Sequence, residues 1–216
     1  MKTSPHVKSL LLVTALALGL GVAARADDSL PADRVAPVAG SQGLLGQVYG
    51  TLTYSYINLD DSSTHADNYR FAVNQPLAFG LDGLLSYDFS QSGNIAGSRV
   101  KTHTFGAALR AFSTAYYWGK PFVEAGAGFA KSSYAGVNDD SFVWNVAVGA
   151  EFQVAPATTV TPHIRYGDAP DLAGSGAWNF GAKVNHWIDS SWAVTAGLEL
   201  DDDRNTSFTI GTNFRF

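Results

Sequence analysis

The sequence contains no cysteine, and its single methionine is the first of its 216 residues. A chain without thiols makes neither disulfides nor thiolate metal sites, so packing and backbone hydrogen bonds must hold it together. Charge is also sparse: only 15% of residues are Asp, Glu, Lys or Arg, and only three are glutamates. Beyond the N-terminus no apolar run approaches the roughly 20 residues that a helix needs to cross a bilayer, which excludes a helical membrane protein. No GxGxxG, Walker loop or zinc-ligand spacing occurs, so neither a cofactor nor a bound metal is expected.

What is present first is an export signal. Lys2 and Lys8 precede an apolar run from Leu10 to Ala24, and Ala24-Arg25-Ala26 has the small-x-small pattern of a cleavage site. Residues 1–26 therefore read as a secretory signal peptide, too short in its apolar part to be an anchor. With no cysteine at the cut, a lipid anchor is excluded as well. The remaining chain has eleven basic residues against nineteen acidic ones, a balance that argues against nucleic acid as a partner. Residues 27–45 are rich in Pro, Gly, Ala and Asp without periodicity and read as a flexible periplasmic lead-in.

From residue 46 to 216 the texture is a two-residue alternation. In the last run Phe208, Ile210, Phe214 and Phe216 alternate with Ser207, Thr209, Asn213 and Arg215; in the longest, Phe142, Trp144, Val146, Val148, Ala150, Phe152 and Val154 alternate with Asn145, Gly149, Glu151 and Gln153. A period of two with one greasy face is a strand. Ten such runs follow one another, separated alternately by short turns and somewhat longer polar loops such as 90–98, 135–140, 168–175 and 201–205. Pro76 and Pro162 lie inside runs, and because proline deletes a ladder bond a merged count of eight stays open.

Soluble sandwiches and lipocalin-like barrels alternate too, so composition must decide what covers the greasy face. Here that face carries no mid-strand Lys, Glu or Asp, and the opposite face is mostly Gly, Ser, Thr, Asn and Ala with about one charge per strand. Aromatics also band: Tyr116, Tyr117, Trp118, Phe122, Trp187, Trp192 and Phe216 fall near the short turns, and Tyr54, Tyr69, Tyr87, Phe129, Trp144, Tyr166 and Trp178 near the loop ends. Two aromatic bands at the expected depths are what the two faces of a membrane select. The expected fold is all-β, a closed antiparallel transmembrane barrel of ten strands with both ends in the periplasm.

The signal peptide, the alternating strands and the closing Phe208-Thr209-Ile210-Gly211-Thr212-Asn213-Phe214-Arg215-Phe216 resemble the small outer-membrane β-barrels of Gram-negative bacteria, the porin-like group that includes OmpA- and OmpX-type barrels. The resemblance implies a bacterial outer-membrane location, contact with outer-membrane lipid and lipopolysaccharide, and a C-terminal Phe214 and Phe216 read by the barrel-assembly machinery. It supplies no functional residues.

Strand parity places Arg70, Arg110, Arg165, Lys183 and Arg215 inside, with Asp82, Asp88, Glu124, Glu151, Glu199 and His163. A near-neutral interleaved set in a narrow interior is expected to pair, since unpaired charges away from water are costly. These residues read either as a structural plug or as the lining of a narrow porin-like path for small solutes or ions. Outward acidic residues, among them Asp60, Asp61, Asp139, Asp140, Asp201, Asp202 and Asp203, lack the Asp-x-Asp-x-Asp-Gly spacing of a calcium loop and read as solvated tips, with surface binding or adhesion as the second class of function. His65, His103, His163 and His186 sit in no recognisable serine or carboxylate constellation, so no catalytic residue is assigned and an outer-membrane lipid-modifying enzyme or protease is the least expected class.

Overall fold

A computed structural model describes residues 43–60, 64–95, 97–172 and 176–216. The signal segment, most of the lead-in, and Asp61 lie outside the described residues. Ten antiparallel strands follow in chain order: β1 (Tyr49–Asn58), β2 (His65–Ala78), β3 (Leu81–Ser92), β4 (Lys101–Phe112), β5 (Lys120–Tyr134), β6 (Val137–Ala155), β7 (Thr158–Asp168), β8 (Ala177–Trp187), β9 (Trp192–Asp201) and β10 (Thr206–Arg215). Each pairs with its sequence neighbours, and β1 pairs with β10 as well as with β2, so the sheet closes into a barrel. The closing ladder runs from Tyr49 opposite Arg215 to Asn58 opposite Thr206. The start of β1 and the end of β10 thus lie at one mouth of the barrel, which we call the terminal mouth.

Both awkward prolines are accommodated within strands, and the count is ten. Pro76 lies opposite Asp82 just before a register shift at Ala78. Pro162 pairs with Ala182 of β8, but on its other side the ladder to β6 passes from Gly149–His163 to Phe152–Val160. Proline has no N–H to donate, so a ladder bond is missing at this position. The expected 135–140 loop is a two-residue turn instead. Ala135 and Gly136 both have positive φ, 50° and 85°, which is the geometry that matches the twist of a hairpin. Asp139 and Asp140 therefore belong to β6, opposite Ser132 and Lys131, in a hairpin whose 15- and 19-residue strands are the longest in the barrel.

Alternation divides the strands into two environments. Leu52, Phe71, Leu85, Phe105, Val146, Val148, Phe180 and Leu198 point outward and are exposed, and Phe129 and Ile210 are 70% and 62% exposed. A continuous outward surface of this kind is stable only against hydrocarbon. Toward the far mouth the outward aromatics touch across strands: Tyr54 and Tyr69 at 5.3 Å between ring centroids, Tyr87 and Phe105 at 4.8 Å, Phe129 and Phe142 at 5.9 Å, Trp144 and Tyr166 at 5.5 Å, Tyr166 and Trp178 at 5.0 Å. Near the terminal mouth Trp192 packs on Phe214 at 4.8 Å and Phe214 on Phe216 at 5.1 Å, while Tyr116, Tyr117 and Trp118 are exposed in the β4–β5 turn. These two bands fit a girdle at each interface.

Two residues expected in the bands are elsewhere. Trp187 is 2% exposed and Phe122 is buried, both inside the barrel. The reason is parity: Trp187 follows Asn179, Lys183 and Asn185 on the inward face of β8, and Phe122 precedes Glu124 on that of β5, so position near a turn gives way to the pleat.

The outward face makes a direct prediction. Val146→Arg, in the middle of β6, should destabilise the barrel folded in lipid vesicles by about 2–4 kcal/mol, whereas Val137→Arg, at the hairpin tip, should change it by roughly 0–1 kcal/mol. Urea titrations of refolding into vesicles measure both.

Candidate functional site

The inward face holds every charge assigned to it by parity. Arg110 of β4 donates to Glu124 Oε2 of β5 through both Nε (2.8 Å) and Nη2 (2.6 Å), a pair set up by the register that puts the two residues opposite each other. Arg70 of β2 lies 3.5 Å from Asp88 of β3, its register partner. Glu199 of β9 gathers three groups from β7 and β8: Lys183 Nζ at 3.0 Å, His163 Nε2 at 3.3 Å and Arg165 Nη1 at 4.0 Å. Charge-assisted pairing of this kind is what keeps a buried carboxylate ionised and in place.

The carboxylates nearest the terminal mouth are satisfied differently. Residues 43–47 fold into that mouth and place Leu45, 4% exposed, inside the barrel. The Leu44 N–H donates to Glu151 Oε2 (2.7 Å) and the Gly46 N–H to Asp82 Oδ2 (3.0 Å). In return Lys120 Nζ donates to the Leu45 carbonyl (3.1 Å), Arg215 Nη2 to the Gly43 carbonyl (3.0 Å) and Asn74 Nδ2 to the Gln47 carbonyl (2.8 Å). Lys120, 3.7 Å from Glu151, is thus a sixth basic lumen residue, which strand parity did not assign because it stands at the very start of β5. Gly46 takes a φ of +79°, which a side chain would strain, and so lets the segment turn back toward Tyr49. Arg215 also stacks over Trp187, 4.0 Å from the ring centroid. The last three residues of the lead-in are therefore anchored; the only sequence sign of this is the pair Leu44-Leu45 set among glycines, which needs cover that a polar lead-in cannot give.

At the far mouth the loops fold inward. Ile57, Leu59, Ala66 and Val100 form one buried apolar cluster with Ile95 and Tyr134 against it, and Ala130, Val143, Ala169 and Leu172 form another. Below them the wall is small and polar, with Ser55 bonded to Thr209, Asn68 to Ser90 and Thr102 to Ser132. Between the two mouths remains a cavity of about 150 Å³ bounded by Leu44 and Leu45 on one side and reaching Arg165 and Thr209.

The histidines are dispersed. His65 stacks on Tyr56, His103 bonds Tyr87 (2.8 Å), and His186 bonds the Thr158 hydroxyl (2.9 Å) on the outer surface. Among the described residues no carboxylate lies within ion-pair reach of His186, and His163 faces Glu199 without a hydroxyl partner.

No protein-family model matches the chain, and no curated protein matches it in sequence. Solved structures of similar shape include Neisserial surface protein A (14% identity over 78% of this chain and 96% of that one, TM-score 0.46), the NanC porin (11% identity, 78% and 100%, TM-score 0.48) and the beta domain of the Bordetella autotransporter BrkA (14% identity, 79% and 99%, TM-score 0.49).

The Arg110–Glu124 pair gives a stability prediction. Glu124→Gln leaves a buried guanidinium uncompensated and should cost about 3–5 kcal/mol, while Arg110→Met with Glu124→Leu removes both charges and should cost clearly less. Comparing their unfolding midpoints in one detergent tests this.

Proposed function

We propose that the protein is an integral protein of the bacterial outer membrane whose barrel serves as a charge-paired structural body, with at most a narrow passive path through it. The observation that carries this reading is the occupied terminal mouth: residues 43–47 are tied to Glu151, Asp82, Lys120, Arg215 and Asn74, and the lumen wall behind them is lined with ion pairs between neighbouring strands. Ion selectivity in such a path is set by the lining charges, and here each carboxylate already has a cation or an N–H beside it. Lipid and lipopolysaccharide are the partners of the outward surface, and Phe216, exposed, and Phe214, half-buried beside it near the terminal mouth, are the signal offered to the assembly machinery. The role is non-catalytic, because the four histidines among the described residues sit in separate surroundings.

The β5–β6 hairpin favours a second reading, surface binding. Its tip exposes Val137 beside Asp139 and Asp140, and whole-cell binding lost on shortening it would carry that role.

Wild-type protein in planar bilayers should give no steps or small, weakly selective ones, and loosening the segment with Leu44→Gly and Leu45→Gly together should increase conductance. Large, stable steps from the wild type would sink the reading.

A further inference from the structure

The charges around the central cavity do not balance. Arg70, Arg110, Arg165 and Lys183 line it together with His163, against Glu124 and Glu151 as the only carboxylates in the lining among the described residues. Asp88 and Glu199 stand behind the cations. Arg110 donates two N–H groups to Glu124, and Lys183 lies 3.0 Å from Glu199, but Arg165 is not comparably engaged. Its side chain is 9% exposed, its nearest carboxylate contact is 4.0 Å, and no hydrogen-bond partner among the described residues reaches its Nε. One carboxylate, Glu199, is thus shared by two permanent cations and a histidine. A guanidinium that is nine-tenths buried, lines a cavity and has N–H groups to spare is short of an acceptor.

We propose that this cavity is a binding site for a small oxyanion, held chiefly by Arg165 with Lys183 and Arg70 close by. Guanidinium N–H groups match the paired oxygens of an oxyanion, and the neutral polar side chains of Thr53 and Asn185 line the same cavity. About 150 Å³ holds several waters or one tetrahedral oxyanion of sulfate size. The site rests on the reading of the lumen as a closed, charge-paired interior. The two fail separately, since bilayer conductance tests the closure and equilibrium binding tests the site.

The experiment is equilibrium dialysis of the refolded mature chain in detergent against sodium selenate, at ionic strength fixed with sodium gluconate, with bound selenium determined by elemental analysis. Wild type should take up selenate saturably, at about one per chain, as a single cavity of this size admits. Arg165→Gln should weaken uptake at least about tenfold, the usual effect of losing one charge-assisted contact. Arg204→Gln, in the exposed β9–β10 turn, should leave it unchanged. Should Arg165→Gln not fold, Lys183→Gln takes its place with the same expected direction. Absence of saturable uptake by the wild type, undiminished uptake by the folded lumen variant, or an equal loss in Arg204→Gln overturns the proposal.

Discussion

Backbone N–H and C=O groups have no water to turn to in hydrocarbon, so every strand of a membrane sheet needs two neighbours, and the pairing of β1 with β10 is what supplies the last one. Opening that ladder would expose two edges to lipid at once. The rest of the barrel follows from closure. A closed wall has an inside, the pleat sends alternate side chains there, and the outside is left for residues that hydrocarbon accepts. Phe129, Val146 and Ile210 satisfy the outer condition while Asp88, Glu124 and Glu199 satisfy the inner one.

Inside, the dominant problem is the cost of charge away from bulk water. Register solves most of it: Arg110 faces Glu124 and Arg70 faces Asp88 directly across their ladders. Glu199 recruits partners from two strands, which leaves Arg165 only distantly engaged and the cavity beside it basic in character. At the terminal mouth the backbone of residues 43–47 serves as the partner, giving N–H groups to carboxylates and carbonyls to cations. The same polypeptide that leads into β1 thereby narrows the lumen it precedes.

Much of this architecture is legible in the linear pattern, because alternation is a local property. Each of Arg70, Asp82, Asp88, Arg110, Glu124, Glu151, His163, Arg165, Lys183, Glu199 and Arg215 is inside, as strand parity requires. Trp187 shows where a second criterion misleads: closeness to a turn suggests the interface, but the pleat of β8 directs the ring into the lumen under Arg215. The hairpin at Ala135 and Gly136 was hidden for another reason, since a polar stretch rich in Asp looks like a loop until cross-strand partners such as Lys131 for Asp140 are known.

By itself the sequence determined which side of the wall each residue occupies and that lipid covers the outer side, because a two-residue period and a charge-free apolar face need no knowledge of distant contacts. Only the tertiary structure decided which charges meet and what fills the terminal mouth. Those interactions join residues from 14 to 172 positions apart, as Arg110 with Glu124 and Gly43 with Arg215. A segment such as 43–47, with no period of its own, acquires its place solely from groups that closure of the barrel brings around it.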